Sequence, residues 1–96
     1  MSSKAAYQQK IEAEIELAQA NVDTLKAQAK NAIADERIKH DEEISAIESG
    51  IETTKAKLKE LGGASDDAWD HLKSGVESAW TSASQSVREA YAKLKS

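Results

Sequence analysis

The chain contains no proline, no cysteine and no phenylalanine, and only four glycines in 96 residues. Each absence excludes something. Without proline, nothing in the chain deletes a backbone donor inside a helix or clashes with the preceding turn. Without cysteine there is no disulfide, no thiolate nucleophile and no cysteine-ligated zinc or iron–sulfur centre. No apolar run approaches the roughly 20 residues of a membrane-spanning helix. The opening residues, Met1 to Gln8, lack the hydrophobic core of a signal peptide. A cytoplasmic protein is therefore the expectation. Runs of Val, Ile and Thr alternating with polar residues are missing as well, which disfavours strands.

Basic excess is also lacking. The net charge is −4, with 12 acids against 9 bases up to Leu61 and 5 against 4 from Asp66 onward. Nucleic acid and anionic membrane surfaces are poor partners for such a chain.

What remains is rich in alanine and charge, the composition of long helices or coiled coils. Apolar residues recur at Tyr7, Ile11, Ile15, Ala18, Val22, Leu25, Ala29 and Ile33 in steps of three and four. The pattern weakens through Arg37 and His40. It resumes at Ile44, Ile47, Ile51, Thr54, Leu58 and Leu61. This is the a/d spacing of coiled coils, with extra four-residue steps that straighten the supercoil. The weak zone, residues 34–43, has no Gly, Pro or Ser to make a turn, and it offers the helix-supporting pairs Asp35–Lys39 and Glu36–His40. Leu61-Gly62-Gly63-Ala64-Ser65 is a stop and restart. A glycine past the helix end suits a left-handed cap, Ser65 suits the next N-cap, and Asp66 and Asp67 complement the following dipole. Trp69, Leu72, Val76, Trp80, Ala83, Val87, Tyr91 and Leu94 then form a second stripe.

The expected fold is all-α and a single domain over residues 1–96. It is a long helical hairpin with a helix at about 4–61, a turn at 62–65 and a helix at about 66–95. The alternative is a three-helix bundle broken near 34–42. In the hairpin, residues pair outward from the loop, Trp69 with Leu58 and Trp80 with Ile47. The expected hairpin core is Ile44, Ile47, Ile51, Leu58, Leu61, Trp69, Leu72, Val76, Trp80, Val87, Tyr91 and Leu94. Gly50 lies near the level of Val76 and Trp80, where it makes room for an indole or lets the helices approach. At 1.5 Å per residue the helices measure about 87 and 45 Å. The stripe of Tyr7, Ile11, Ile15, Val22, Leu25 and Ile33 would then project uncovered. Burial of each large apolar side chain is worth about 1.5–3 kcal/mol, so a partner is expected for it. The simplest is a second copy, giving an antiparallel homodimer through residues 4–33.

No catalytic or cofactor-binding constellation stands out. Glu36, His40 and Glu43 share one helical face, but di-iron bundles need Glu-x-x-His from two helices, so no metal site is expected. No apolar surroundings shift the acids Asp41, Glu42 and Glu43 toward acid–base work. A glycine-rich phosphate loop is missing too, since no Lys-Ser/Thr pair follows Gly62-Gly63. A non-enzymatic structural or interaction protein is the expectation. Trp69 and Trp80 on an amphipathic helix with a serine-rich polar face keep a peripheral lipid-binding protein as the alternative.

Leu58-Lys59-Glu60-Leu61, then Ser65-Asp66-Asp67-Ala68-Trp69, Leu72-Lys73-Ser74-Gly75 and Ala79-Trp80 together resemble a family of small bacterial coiled-coil proteins connected with stress response. The resemblance covers about residues 40–95. It implies a helical bundle and a link to stress, and it names no catalytic residues.

Overall fold

The structure is a computed structural model that describes the backbone of residues 3–95 and the side chains of residues 3–93. It is all-α, with three helices in chain order: α1 (Ser3–Lys30), α2 (Ala34–Gly62) and α3 (Asp66–Lys95). They form an up–down–up bundle measuring 51 × 20 × 17 Å. Lys4 pairs with Asp66, and Tyr7 stacks edge-on against Trp69 at 6.3 Å. The N-termini of α1 and α3 therefore lie together, beside the C-terminus of α2.

The expected helix over 4–61 is thus two helices, and the three-helix alternative describes the molecule. The break falls at Asn31–Ile33, just before the polar zone, and residues 34–42 are helical. Energy explains the turn better than local chemistry does. Folding α1 back buries Ile11, Ile15, Val22 and Leu25, all 8% exposed or less. Four such side chains contribute about 6–12 kcal/mol before ordering costs. Interrupting a helix forfeits about three backbone bonds of roughly 0.5–1.5 kcal/mol each. Burial wins, and no turn-forming residue is required.

The six residues expected to await a partner are divided by this fold. Ile11, Ile15, Val22 and Leu25 are buried within the chain, Tyr7 is half-buried, and Ile33 is 70% exposed. The length mismatch that called for a dimer through residues 4–33 is gone, because α1 itself covers the α2–α3 hairpin.

Most of the expected hairpin core is in place. Ile44, Ile47, Ile51, Leu58, Leu61, Val76, Trp80 and Val87 are buried, joined by Ala18, Ala29, Ala83 and Ala90. Trp69, Leu72 and Tyr91 are half-buried at its edges. The side chain of Leu94 lies outside the described residues. Thr54 is fully buried, and its hydroxyl donates to the Gly50 carbonyl at 3.0 Å, so its polar atom is satisfied.

Gly50 allows the expected close approach of the helices but against a different neighbour, and the Gly62–Gly63 turn departs from expectation. Gly50 faces Ala83, not the level of Val76 and Trp80. A Cβ on Gly50 would sit 3.3 Å from the Ala83 Cβ, so the pair lets α2 and α3 approach closely. The Gly62–Gly63 turn uses no left-handed residue. Gly63 has φ −98° and no described glycine has positive φ. Gly62 instead yields space to α1, since a Cβ there would lie 2.7 Å from Gln8 Nε2.

Candidate interaction surface at the open end of the bundle

The two ends of the bundle are built differently. At the end holding the 62–65 turn, α1 is clasped to the hairpin. The Lys4 ammonium binds the Asp66 carboxylate and lies 5.2 Å from the centre of the Trp69 ring. Lys73 stands 4.8 Å from the Tyr7 ring, and the Tyr7 hydroxyl reaches Glu77 at 3.5 Å. Cation–ring contacts of this kind are worth about 0.5–1 kcal/mol at exposed positions. The hydrogen bond from Lys4 holds the Asp66 carboxyl below its usual range, reinforced by charge attraction. Desolvation pushes the Tyr7 phenol up, helped by the nearby Glu77 charge.

The turn here is well bonded. Gly63 N–H donates to the Glu60 carbonyl at 3.1 Å and Ala64 N–H to that of Leu61 at 3.1 Å. The Ser65 carbonyl accepts from Ala68 and Trp69, and its hydroxyl oxygen accepts from Ala68 N–H at 3.4 Å. The Asp66 and Asp67 carboxylates sit in the first turn of α3, as the dipole favours.

The opposite end is open. Asn31 and Ala32 close α1 with i→i−3 bonds of 3.1 and 3.2 Å to Gln28 and Ala29. Ile33 is extended (φ −67°, ψ 159°) and caps α2 with no side-chain hydrogen bond. An isoleucine N-cap is about 1 kcal/mol poorer than serine or aspartate. Every residue from Ile33 to Glu43 is exposed, so the first turns of α2 stand clear of the core. Packing resumes at Ile44, which lines one cavity with the small buried residues Ala29 and Ala90. This cavity, of about 360 Å³, is lined by Leu25, Ala29, Ile44 and Ala90 and by His40 and Glu43. Its lining is mixed, with Gln28, Asn31 and Lys93 also contributing. Within residues 33–43, Ile33 and Ile38 are 70% and 60% exposed, and Leu17 of α1 is 66% exposed. Farther along, Lys26 reaches Glu48 at 2.9 Å and ties α1 to α2, and that hydrogen bond raises the ammonium pKa.

The face bearing Glu36, His40 and Glu43 stays solvated, and among the described residues no three His, Asp or Glu side chains converge as a metal site. Among the described residues no helix is long and apolar enough to cross a membrane. The open end was only half visible in the sequence. Residues 34–43 read as a polar seam in a continuous helix, and the cavity draws Ala29 and Ala90 from two different helices. The Lys4–Asp66 clasp had no sequence signal, because its partners are 62 residues apart. No family model matches the chain, and neither a curated protein nor a solved structure matches it.

Proposed function

We propose that this chain is a non-enzymatic helical structural module that works by self-association through the open end of its bundle. One observation carries this reading. An unbroken run of exposed residues, 33–43, holds two large isoleucines in water on the segment whose His40 and Glu43 line the cavity, while Ile11, Ile15, Val22 and Leu25 of the apolar stripe are packed. Exposed apolar surface rimmed by polar groups is the usual mark of an interaction site. Sedimentation velocity over a concentration series tests it. The wild-type chain is expected to form dimers as concentration rises, and the double variant Ile33→Asp, Ile38→Asp to associate more weakly. A chain that stays monomeric up to its solubility limit overturns the reading.

A second reading is attachment to a lipid surface through the stripe of α3. Trp69 and Trp80 on one face support it, but Val76 is fully buried and Trp80 is 8% exposed, so the bundle would have to open first. Liposome flotation with unchanged tryptophan emission would dispose of it. The proposed link to stress rests on the resemblance of residues 40–95 and is checked by following the protein's abundance through heat, acid and osmotic challenge.

A further inference from the structure

We propose that α1 is exchangeable between two copies of this chain. The 31–33 turn straightens, α1 and α2 merge into one helix of about 60 residues and roughly 90 Å, and α1 packs on the α2–α3 hairpin of the second copy. This rests on the self-association reading and states how the two copies engage.

The apolar stripe runs through the turn. Ile33 follows Ala29 by four residues and precedes Ile44 by eleven. Three helical turns take about 10.8 residues, so on a continuous helix Ala29, Ile33 and Ile44 share one face. Ala29 and Ile44 are buried in the bundle, and Ile33 between them is 70% exposed. The break in the chain, and not its chemistry, puts Ile33 in water. In an antiparallel exchanged dimer the two copies of Ile33 lie near the twofold axis, where each meets the other chain.

The turn itself is weakly specified. Asn31 is its only residue that prefers turns. No residue in it takes positive φ, and Ile33 leaves the start of α2 without a side-chain cap. The following Asp35–Lys39 and Glu36–His40 spacings support helix. Residues 33–43 are exposed in the bundle, so straightening uncovers none of them, and Ala29 and Ile44, buried on either side, re-pack against the second copy. The contacts that hold α1 also survive exchange. Lys4–Asp66, Lys26–Glu48 and Tyr7–Trp69 would re-form between chains with the same partners. A short hinge and an unchanged interface are the conditions under which swapping is cheap. The hairpin α2–α3 stays intact, its turn being bonded on both sides.

The test uses ordinary and ¹⁵N-labelled chains, unfolded together and refolded at high concentration. The dimer fraction is isolated and treated with a carbodiimide, which joins touching amines and carboxylates without a spacer. Exchange is expected to yield Lys26–Glu48 and Lys4–Asp66 cross-linked peptides with one heavy and one light partner, in statistical proportion. A dimer whose links join only same-isotope peptides overturns exchange and leaves self-association standing. Absence of any dimer overturns both. Ile33→Ser, which supplies the missing cap, is expected to weaken dimerisation roughly tenfold, and Asn31→Ala to strengthen it by a similar factor. Dimerisation indifferent to both substitutions would also overturn the proposal. Helical content is followed by circular dichroism, and neither residue is buried.

Discussion

The turns at 31–33 and 62–65 both reverse the chain between helices of nearly equal length, yet they share almost no chemistry. Residues 62–65 bring two glycines, a serine cap, two carboxylates in the next turn and a clasp from α1. Residues 31–33 bring no glycine and no side-chain cap, and they open onto a cavity. One turn is dictated locally and then reinforced. The other exists because burying α1 outweighs the helical bonds it interrupts. A bundle can therefore hold one reversal firmly and the other only through its tertiary contacts, which makes the second the natural hinge.

Residues flanking the two turns should differ most. Leu61 is fully buried beside the 62–65 turn, and Leu61→Ala is expected to cost about 2–5 kcal/mol. Ile33→Ala, at the open turn, should change monomer stability by less than about 0.5 kcal/mol. Thermal melts of the two variants would reveal the contrast, and equal losses would abolish it.

The hairpin can be tested between its turn and its far end. Gly50→Leu pushes a side chain into Ala83, which a Cβ already approaches at 3.3 Å, so a loss of about 1–3 kcal/mol is expected. Gly75→Ala meets nothing within 4 Å and should gain about 0.5–1 kcal/mol from helix propensity. Denaturant midpoints at constant slope would register both signs.

Exchanging the caps sharpens the comparison further. Ser65→Ala should destabilise by about 0.5–1 kcal/mol, and Ile33→Asp should stabilise the monomer by a similar amount. If the 31–33 turn gained nothing from a cap, its weakness would have to lie elsewhere.

The smallest effect is electrostatic. The Asp66 carboxyl is held below its ordinary value by Lys4, so its contribution is present above the usual carboxylate range and fades as pH falls through the lowered value. Lys26 is raised by Glu48, so its contribution is present below the usual lysine value and fades as pH rises through the raised one. Raising the salt concentration should shrink both. Melting temperature against pH, compared with Lys4→Met and Lys26→Met, would separate the acid flank at the clasped end from the alkaline flank along α1.

The stripes were legible because a period of three and four residues is a local property. Ile11, Ile15, Val22 and Leu25 were recognised as a face needing cover, and they are covered. What covers them was not legible, since the same stripe suits a partner chain or the chain's own hairpin equally well. Residues 34–43 are helical, as their charge spacing implies, and the break lies just upstream, where Asn31 is the only local cue. The register between α2 and α3 also escaped, as Gly50 meets Ala83 and not the Trp80 level that pairing outward from the loop implied. Counting residues fixes only the mean level, while side-chain volumes at the contact decide where two helices settle.

By itself the sequence determined that the chain is helical, that it reverses at Gly62–Gly63, and which residues seek burial. These follow from proline-free periodicity, cap chemistry and the hydrophobic effect, all set by near neighbours. Tertiary structure alone decided that the chain reverses again at Asn31–Ile33, that α1 is clasped by Lys4 and Tyr7, and that one end of the bundle is left open. Those outcomes depend on burial summed over three helices set against the cost of one weak turn. That balance joins residues more than 60 positions apart, and no local pattern records it.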